Sequence, residues 1–313
     1  MKKCAQVANF NVVFGEDESP MLDYFDSIIY PALTSGITKT LDDNVFLFKD
    51  IEISTQYVDK YVLTGKLVKK TILEIKSDLD EDGELVEKDE RYSSAPYSSF
   101  AINLLNHRMM FMPNQKGSPT LANFRTTVKY VLSEYVKNQN SQLDNEKKLE
   151  YALINVVGIP SARSMDELLD NVEKVTSLTL RFYPLNGDMD FSTAFGILTK
   201  DMRNEVGFKN GEIVFKSPKS ISGIKSILEK AAGTIDPIIK VITKGKSKAI
   251  LKDYELLERY DIDVDEKSSF SEETNQLVSS MGEIPTLTYT NDEHNRIYER
   301  NKQKIIPFVK EKR

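Results

Sequence analysis

Met109-Met110-Phe111-Met112-Pro113-Asn114-Gln115-Lys116-Gly117-Ser118-Pro119 and Ile213-Val214-Phe215-Lys216-Ser217-Pro218 are built alike: an apolar strand-like run, a lysine, Ser-Pro, and then a helical pattern. The first leads into Leu121, Phe124, Val128, Val131 and Tyr135, the second into Ile221, Ile224, Ile227, Leu228 and Ala231. Those spacings place each apolar set on one helical face, and Ser-Pro or a nearby serine supplies the cap and first turn. Both passages therefore read as strand, tight turn, helix. A helix N-terminus beside a lysine gathers free backbone N–H groups and the positive end of the helix dipole. This makes Lys116, Gly117 and Ser118, and likewise Lys216 and Ser217, candidate phosphate-binding residues.

Outward from these passages the pattern is mixed. Val7 to Phe14 alternates as an opening strand, and Ser19-Pro20 starts a helix with Leu22, Phe25, Ile28 and Ile29 on one side. Val45 to Ile53 and Tyr61 to Ile75 are rich in β-branched and aromatic residues. Asp80-Glu81-Asp82-Gly83 reads as a hairpin tip between Thr71–Ser77 and Glu84–Lys88. A second hairpin pairs Ser99–Leu105 with Arg108–Met112 around Asn106-His107, whose turn residues are expected to face water.

Lys137 to Lys148 is polar and poor in large apolar side chains, which makes it the expected domain boundary. Beyond it, Tyr151–Ile159 is strand-like, Ser164–Glu167 is a capping box, and Ser177–Tyr183 is again strand-like. Asn186-Gly187-Asp188 reads as a turn with Asp190 as the next N-cap, and Phe191, Phe195, Leu198 and Met202 form a helical stripe. Glu212–Phe215, Ile221–Ala231 and Ile238–Thr243 then supply strand, helix and strand. With the Phe195 helix set aside, the order is βαββαβ, that of a ferredoxin-like unit. The expected fold class is α+β with two domains: residues 1–140 with long β-hairpins, and 149–264, ferredoxin-like with an inserted helix. Residues 265–313 read as a polar linker and basic tail.

The 313 residues are 40% hydrophobic and 29% charged, as in ordinary globular chains. No apolar run approaches the ~18 residues a membrane span needs, and Val7–Phe14 lacks a signal peptide's apolar core. A cytoplasmic protein without a membrane partner is expected. Cys4 is the single cysteine and has no disulfide partner, while two histidines, His107 and His294, are too few for a histidine-rich metal centre. Any metal would need carboxylates, hence magnesium, manganese or calcium. The net charge of −6 opposes bulk attraction to nucleic acid, but the acids cluster in Asp78–Glu90 and Asp261–Glu273, leaving room for a local basic surface.

Lys244, Lys246, Lys248 and Lys252 recur mainly every second residue. On a strand pair they would form a basic edge that follows a sugar-phosphate backbone, or one that guards the sheet against mispairing. The leading expectation is a non-catalytic module that binds RNA or single-stranded DNA. The abundance of Lys, Asn and Ile suits an AT-rich bacterial genome, with an accessory or host-defence role.

Thr71-Ile72-Leu73-Glu74-Ile75-Lys76 carries Glu-x-Lys at the end of an apolar strand. This is similar to the core of the PD-(D/E)XK nucleases. The resemblance implies Asp59 and Glu74 as ligands of magnesium or manganese and Lys76 as the group that orients water. Asp59 lacks a preceding proline, and an acidic hairpin stands where that family has a helix, so the nuclease is the alternative to the non-catalytic reading. A third reading is a protein-interaction subunit that uses the acidic hairpin and basic tail.

Overall fold

Phe10, Val12 and Phe14 alternate with Asn9 and Asn11 in the opening strand, and the molecule is assembled on it. The computed structural model describes residues 2–57, 60–188, 202, 205–265 and 267–309. Its strands are β1 (Lys2–Phe14), β2 (Ser19–Pro20), β3 (Lys39–Leu41), β4 (Asn44–Tyr57), β5 (Lys60–Leu79), β6 (Leu85–Ser94), β7 (Tyr97–Asn103), β8 (Arg108–Pro113), β9 (Ala152–Gly158), β10 (Val172–Phe182), β11 (Gly211–Lys216), β12 (Asp236–Thr243), β13 (Lys248–Lys252) and β14 (Arg259–Asp263). The helices are α1 (Tyr30–Thr34), α2 (Leu121–Asn140), α3 (Ala162–Leu169), α4 (Ile221–Ala231), α5 (Asp253–Leu256), α6 (Phe270–Met281), α7 (Pro285–Thr288) and α8 (Asp292–Ile305).

Ten strands form one large sheet along the path β14-β1-β8-β7-β5-β4-β3, with β2 and β9 also paired to β1 and β6 paired to β5. Four others form a small sheet in the order β11-β10-β12-β13. Every pair in both sheets is antiparallel. The chain is thus a mixed helix-and-sheet protein dominated by antiparallel sheets.

Both faces of the large sheet are covered. Phe10 meets Phe124 of α2 edge-on, in a cluster that also holds Phe14, Phe100, Phe111 and Tyr298. Val7, Ala101 and Met110 pack on the opposite face against Leu277, Val278 and Met281 of α6. The small sheet is covered on one face, where Leu178, Leu180, Ile239 and Val241 pack against Met165 and Leu169 of α3 and Ile224 and Leu228 of α4.

The expected βαββαβ unit loses its first strand. β9 lies along β1 from Ala8↔Gly158 to Phe14↔Ala152, inside the large sheet. The small sheet instead closes with β13, so its order is αββαββ. β9 is apolar except for Asn155, and local pattern marks it as a strand without choosing its partner. Residues 265–313, expected as linker and tail, hold two capped helices: Ser269 and Glu272 form a capping box for α6, and Asn291 caps α8. Glu273 of α6 is buried and ion-paired to Lys3 at 2.8 Å. The stripe Phe191–Phe195–Leu198, with Asp190, lies outside the described residues.

The large sheet draws strands from both sides of the 141–148 segment. α2 runs through Asn140, whereas 141–148 is exposed throughout. Limited proteolysis is expected to nick the chain within Ser141–Lys148, with both fragments co-eluting on gel filtration, because β9 and β14 lie beyond the nick and pair with β1. Fragments that separate without denaturant would contradict the shared sheet.

Candidate nucleic-acid interface

Residues opposite one another in antiparallel strands share a face, so register maps the uncovered side of the small sheet. One row is Lys174, Ile242 and Lys248; the next is Lys216, Ser177, Lys240 and Ile250. The third is Val214, Thr179, Ile238 and Lys252, and the last is Glu212, Arg181 and Asp236. Six cations thus interleave with β-branched side chains on a face against which no described helix packs. Lys174, Arg181, Lys216, Lys240, Lys248 and Lys252 are all exposed. Among the described residues no ion pair holds any of the five lysines; Arg181 alone has a partner, with its Nε 3.5 Å from Glu212. The two carboxylates stand together at one end of the grid.

That end opens into a cleft of about 500 Å³ between the small sheet, α2 and β9. Arg125 and Lys129, one helical turn apart on α2, line it with Arg181, Tyr183 and Asp236. Arg125 also pairs, 2.5 Å away, with the buried Asp253, whose carboxylate accepts from the Gly158 N–H at 3.0 Å. Burial, and then the charge of Asp253, push the Asp236 carboxyl above its ordinary value against the pull of Arg125 and Arg181. Burial and the Arg125 cation lower the Lys129 ammonium.

Lys216, Lys248 and Lys252, singled out in the sequence, are brought together on the grid. Lys244 and Lys246 are not: they lie in the β12–β13 turn, where Lys246 has a φ of 63° and pairs with Glu173. Lys116, Gly117 and Ser118 belong to the other sheet, in the turn after β8. Neither Ser-Pro is the cap. Thr120 caps α2 by accepting from the Asn123 N–H, and Ser220 caps α4 by accepting from the Gly223 N–H. Ser217 instead takes a φ of 48° and donates its N–H to Thr176 O. Lys174, Arg181 and Lys240 complete the grid; alternation of Lys240 with Ile239 and Val241 was the signal for one of them.

Asp59 lies outside the described residues. Glu74 sits on a two-stranded ribbon, 3.2 Å from Arg91 and 3.5 Å from Lys76, and Lys76 reaches Asp89 at 2.9 Å. Exposed and held in cross-strand pairs, Glu74 and Lys76 do not fit the water-excluding pocket of a metal-dependent nuclease. Among the described residues no group of three or more His, Cys, Asp or Glu is arranged to hold a metal ion.

A buried junction fixes the grid relative to the large sheet. Asn9 and Arg108 are cross-strand neighbours on β1 and β8, and both reach Asp188, which follows β10. Asn9 Nδ2 donates to Oδ2 at 2.8 Å and Arg108 Nη2 to Oδ1 at 3.0 Å, while His294 Nε2 lies 3.4 Å from Oδ1. Arg108 also donates to Ala232 O at the C-cap of α4. His107, expected at a wet turn, is fully buried with a φ of 58°. The neighbouring Asn106 explains this, since its amide donates to Leu287 O and Tyr289 O and ties the turn beneath α7.

No protein-family model matches the chain. No curated protein compared with it matches either. No helix among the described residues is long and apolar enough to cross a membrane.

Proposed function

We propose that the protein is a non-catalytic module that binds a single-stranded polynucleotide across the open face of its small sheet. One observation supports this above the rest: four strands contribute cations in register to a face against which no described helix packs, while the opposite face is covered by helices. Rows in a sheet repeat about every 4.8 Å across strands and about every 7 Å along them. A flexible single strand can settle its phosphates on such a lattice, whereas the stiff duplex meets it at few points. The β-branched side chains between the lysines offer apolar contact to bases. The grid carries no aromatic residue for stacking, so binding is expected to tolerate sequence. A cytoplasmic location is part of this proposal.

The test is fluorescence anisotropy with labelled single-stranded RNA and DNA and a duplex control. If about five phosphates are neutralised, log K should fall against log salt with a slope of about −3 to −4. Absence of binding to every single strand at low salt would end this reading.

A further inference from the structure

β5 runs beside β7 through Val68 and beside β4 through Lys70; from Thr71 onward it pairs with β6 alone. Thr71–Leu79 and Leu85–Ser94 therefore project as a two-stranded ribbon, roughly 30 Å long at ~3.3 Å per residue. A ribbon of two strands is marginal in water unless one of its faces is covered.

Its faces differ. The pairs Leu73↔Tyr92, Ile75↔Glu90, Ser77↔Glu87 and Leu79↔Leu85 define one side. Leu73, Leu79, Leu85 and Tyr92 there are each more than half exposed. The other side carries the ion pairs of Glu74 with Arg91 and of Lys88 with Asp78. Residues 71–94 hold nine carboxylates and three cations, a net charge of −6 that equals that of the whole chain, so the remainder is neutral.

The small-sheet grid is the complement of this ribbon. Its exposed Val214 and Ile250, with Ile238 and Ile242, are surrounded by lysines, as the ribbon's leucines are surrounded by acids. Within one chain both surfaces stand exposed, so the ribbon does not cover its own grid. Two ribbons laid face to face would oppose −6 with −6 and set Glu87 and Glu90 against their copies. We infer that the apolar face of the acidic ribbon docks on the basic sheet face of a second copy of this chain, in a head-to-tail contact. Such a contact uses two different surfaces, so each copy keeps one of each free and assembly continues by addition. It does not rest on polynucleotide binding, though a strand of nucleic acid would compete for the same face.

Sedimentation analysis in the absence of nucleic acid tests this. Wild-type mass should rise with concentration up to about 100 μM at low salt, the affinity range of transient contacts, and return to monomer at high salt. A ribbon variant, Leu79→Lys with Leu85→Lys, and a face variant, Lys248→Glu with Ile250→Glu, alter exposed side chains; circular dichroism checks that both remain folded. Each alone should stay monomeric. Mixed in equal amounts they should form a dimer that grows no further, because one supplies an intact grid and the other an intact ribbon. A wild type monomeric throughout, a variant that associates as wild type does, or a mixture that fails to pair would each overturn the inference. At protein concentrations below those of self-association, oligonucleotide binding by the ribbon variant is expected to match that of wild type, so failure of either idea is read separately.

Discussion

Arg108→Met is expected to destabilise the fold by about 3–5 kcal/mol, since it leaves Asp188 buried without its cation. Urea unfolding measures this directly. Adding Asp188→Leu should recover part of the loss, because the unpaired charge goes, but not all of it: Asn9 would then lose its carboxylate acceptor and keep only the longer bond to Gly233 O, and Ala232 O would lose its donor. An additive double variant would show that the two side chains do not act as a pair.

The same junction sets a pH dependence. Burial pushes the Asp188 carboxyl up, but the Arg108 cation, with His294 and Asn9, outweighs it and holds the group at about 2. That contribution is present above the ordinary carboxylate value of about 4 and is lost as pH falls toward 2. Burial, followed by the adjoining His294, lowers His107 from 6.5 to about 3. Between those values the unfolded chain takes up a proton that the folded one refuses, so stability declines as pH falls from about 6.5 toward 3. His107→Asn, which tolerates the positive φ, should flatten the urea midpoint between pH 7 and pH 4. An unchanged slope would assign the acid sensitivity elsewhere.

Replacing Lys216, Lys240, Lys248 and Lys252 together with glutamate should weaken single-strand binding by about 100-fold or more at low salt. With alanine at the same four positions, the salt slope should flatten by about 3. The control is Lys116→Ala with Lys244→Ala and Lys246→Ala. Those lysines lie off the grid, so affinity should change little. If the control set loses as much as the grid set, the ligand follows a diffuse field and not this face.

Much of the local structure was legible in the sequence, because it depends on local chemistry. Alternation marked β1, the Asp80–Gly83 tip marked the ribbon, and periodicity marked α2 and α4. Pairing was not legible. β9 could have joined either sheet on its own pattern, and only the pairing from Ala8↔Gly158 to Phe14↔Ala152 assigns it to β1. The grid depended on register as well: Lys248 and Lys252 stood out as a run, but Lys174, Arg181 and Lys216 join them only once β10 and β11 are laid alongside. His107 was misplaced because water or cover at a hairpin tip is decided by a segment some 180 residues further on.

β1 also bears on how the chain is made. Residues 2–14 leave the ribosome before all their partners, which apart from the two-residue β2 are β8, β9 and finally β14 at 259–263. At about 5–20 residues per second, on the order of ten seconds separate the emergence of Phe14 from that of Gly158. During that interval β8 can take one edge of the strand, but the edge that β9 and β14 occupy stays open. Ribosome-stalled chains ending before Gly158 are therefore expected to be held by chaperones or to aggregate, and the strand is paired along its whole length only once residues 259–263 have emerged.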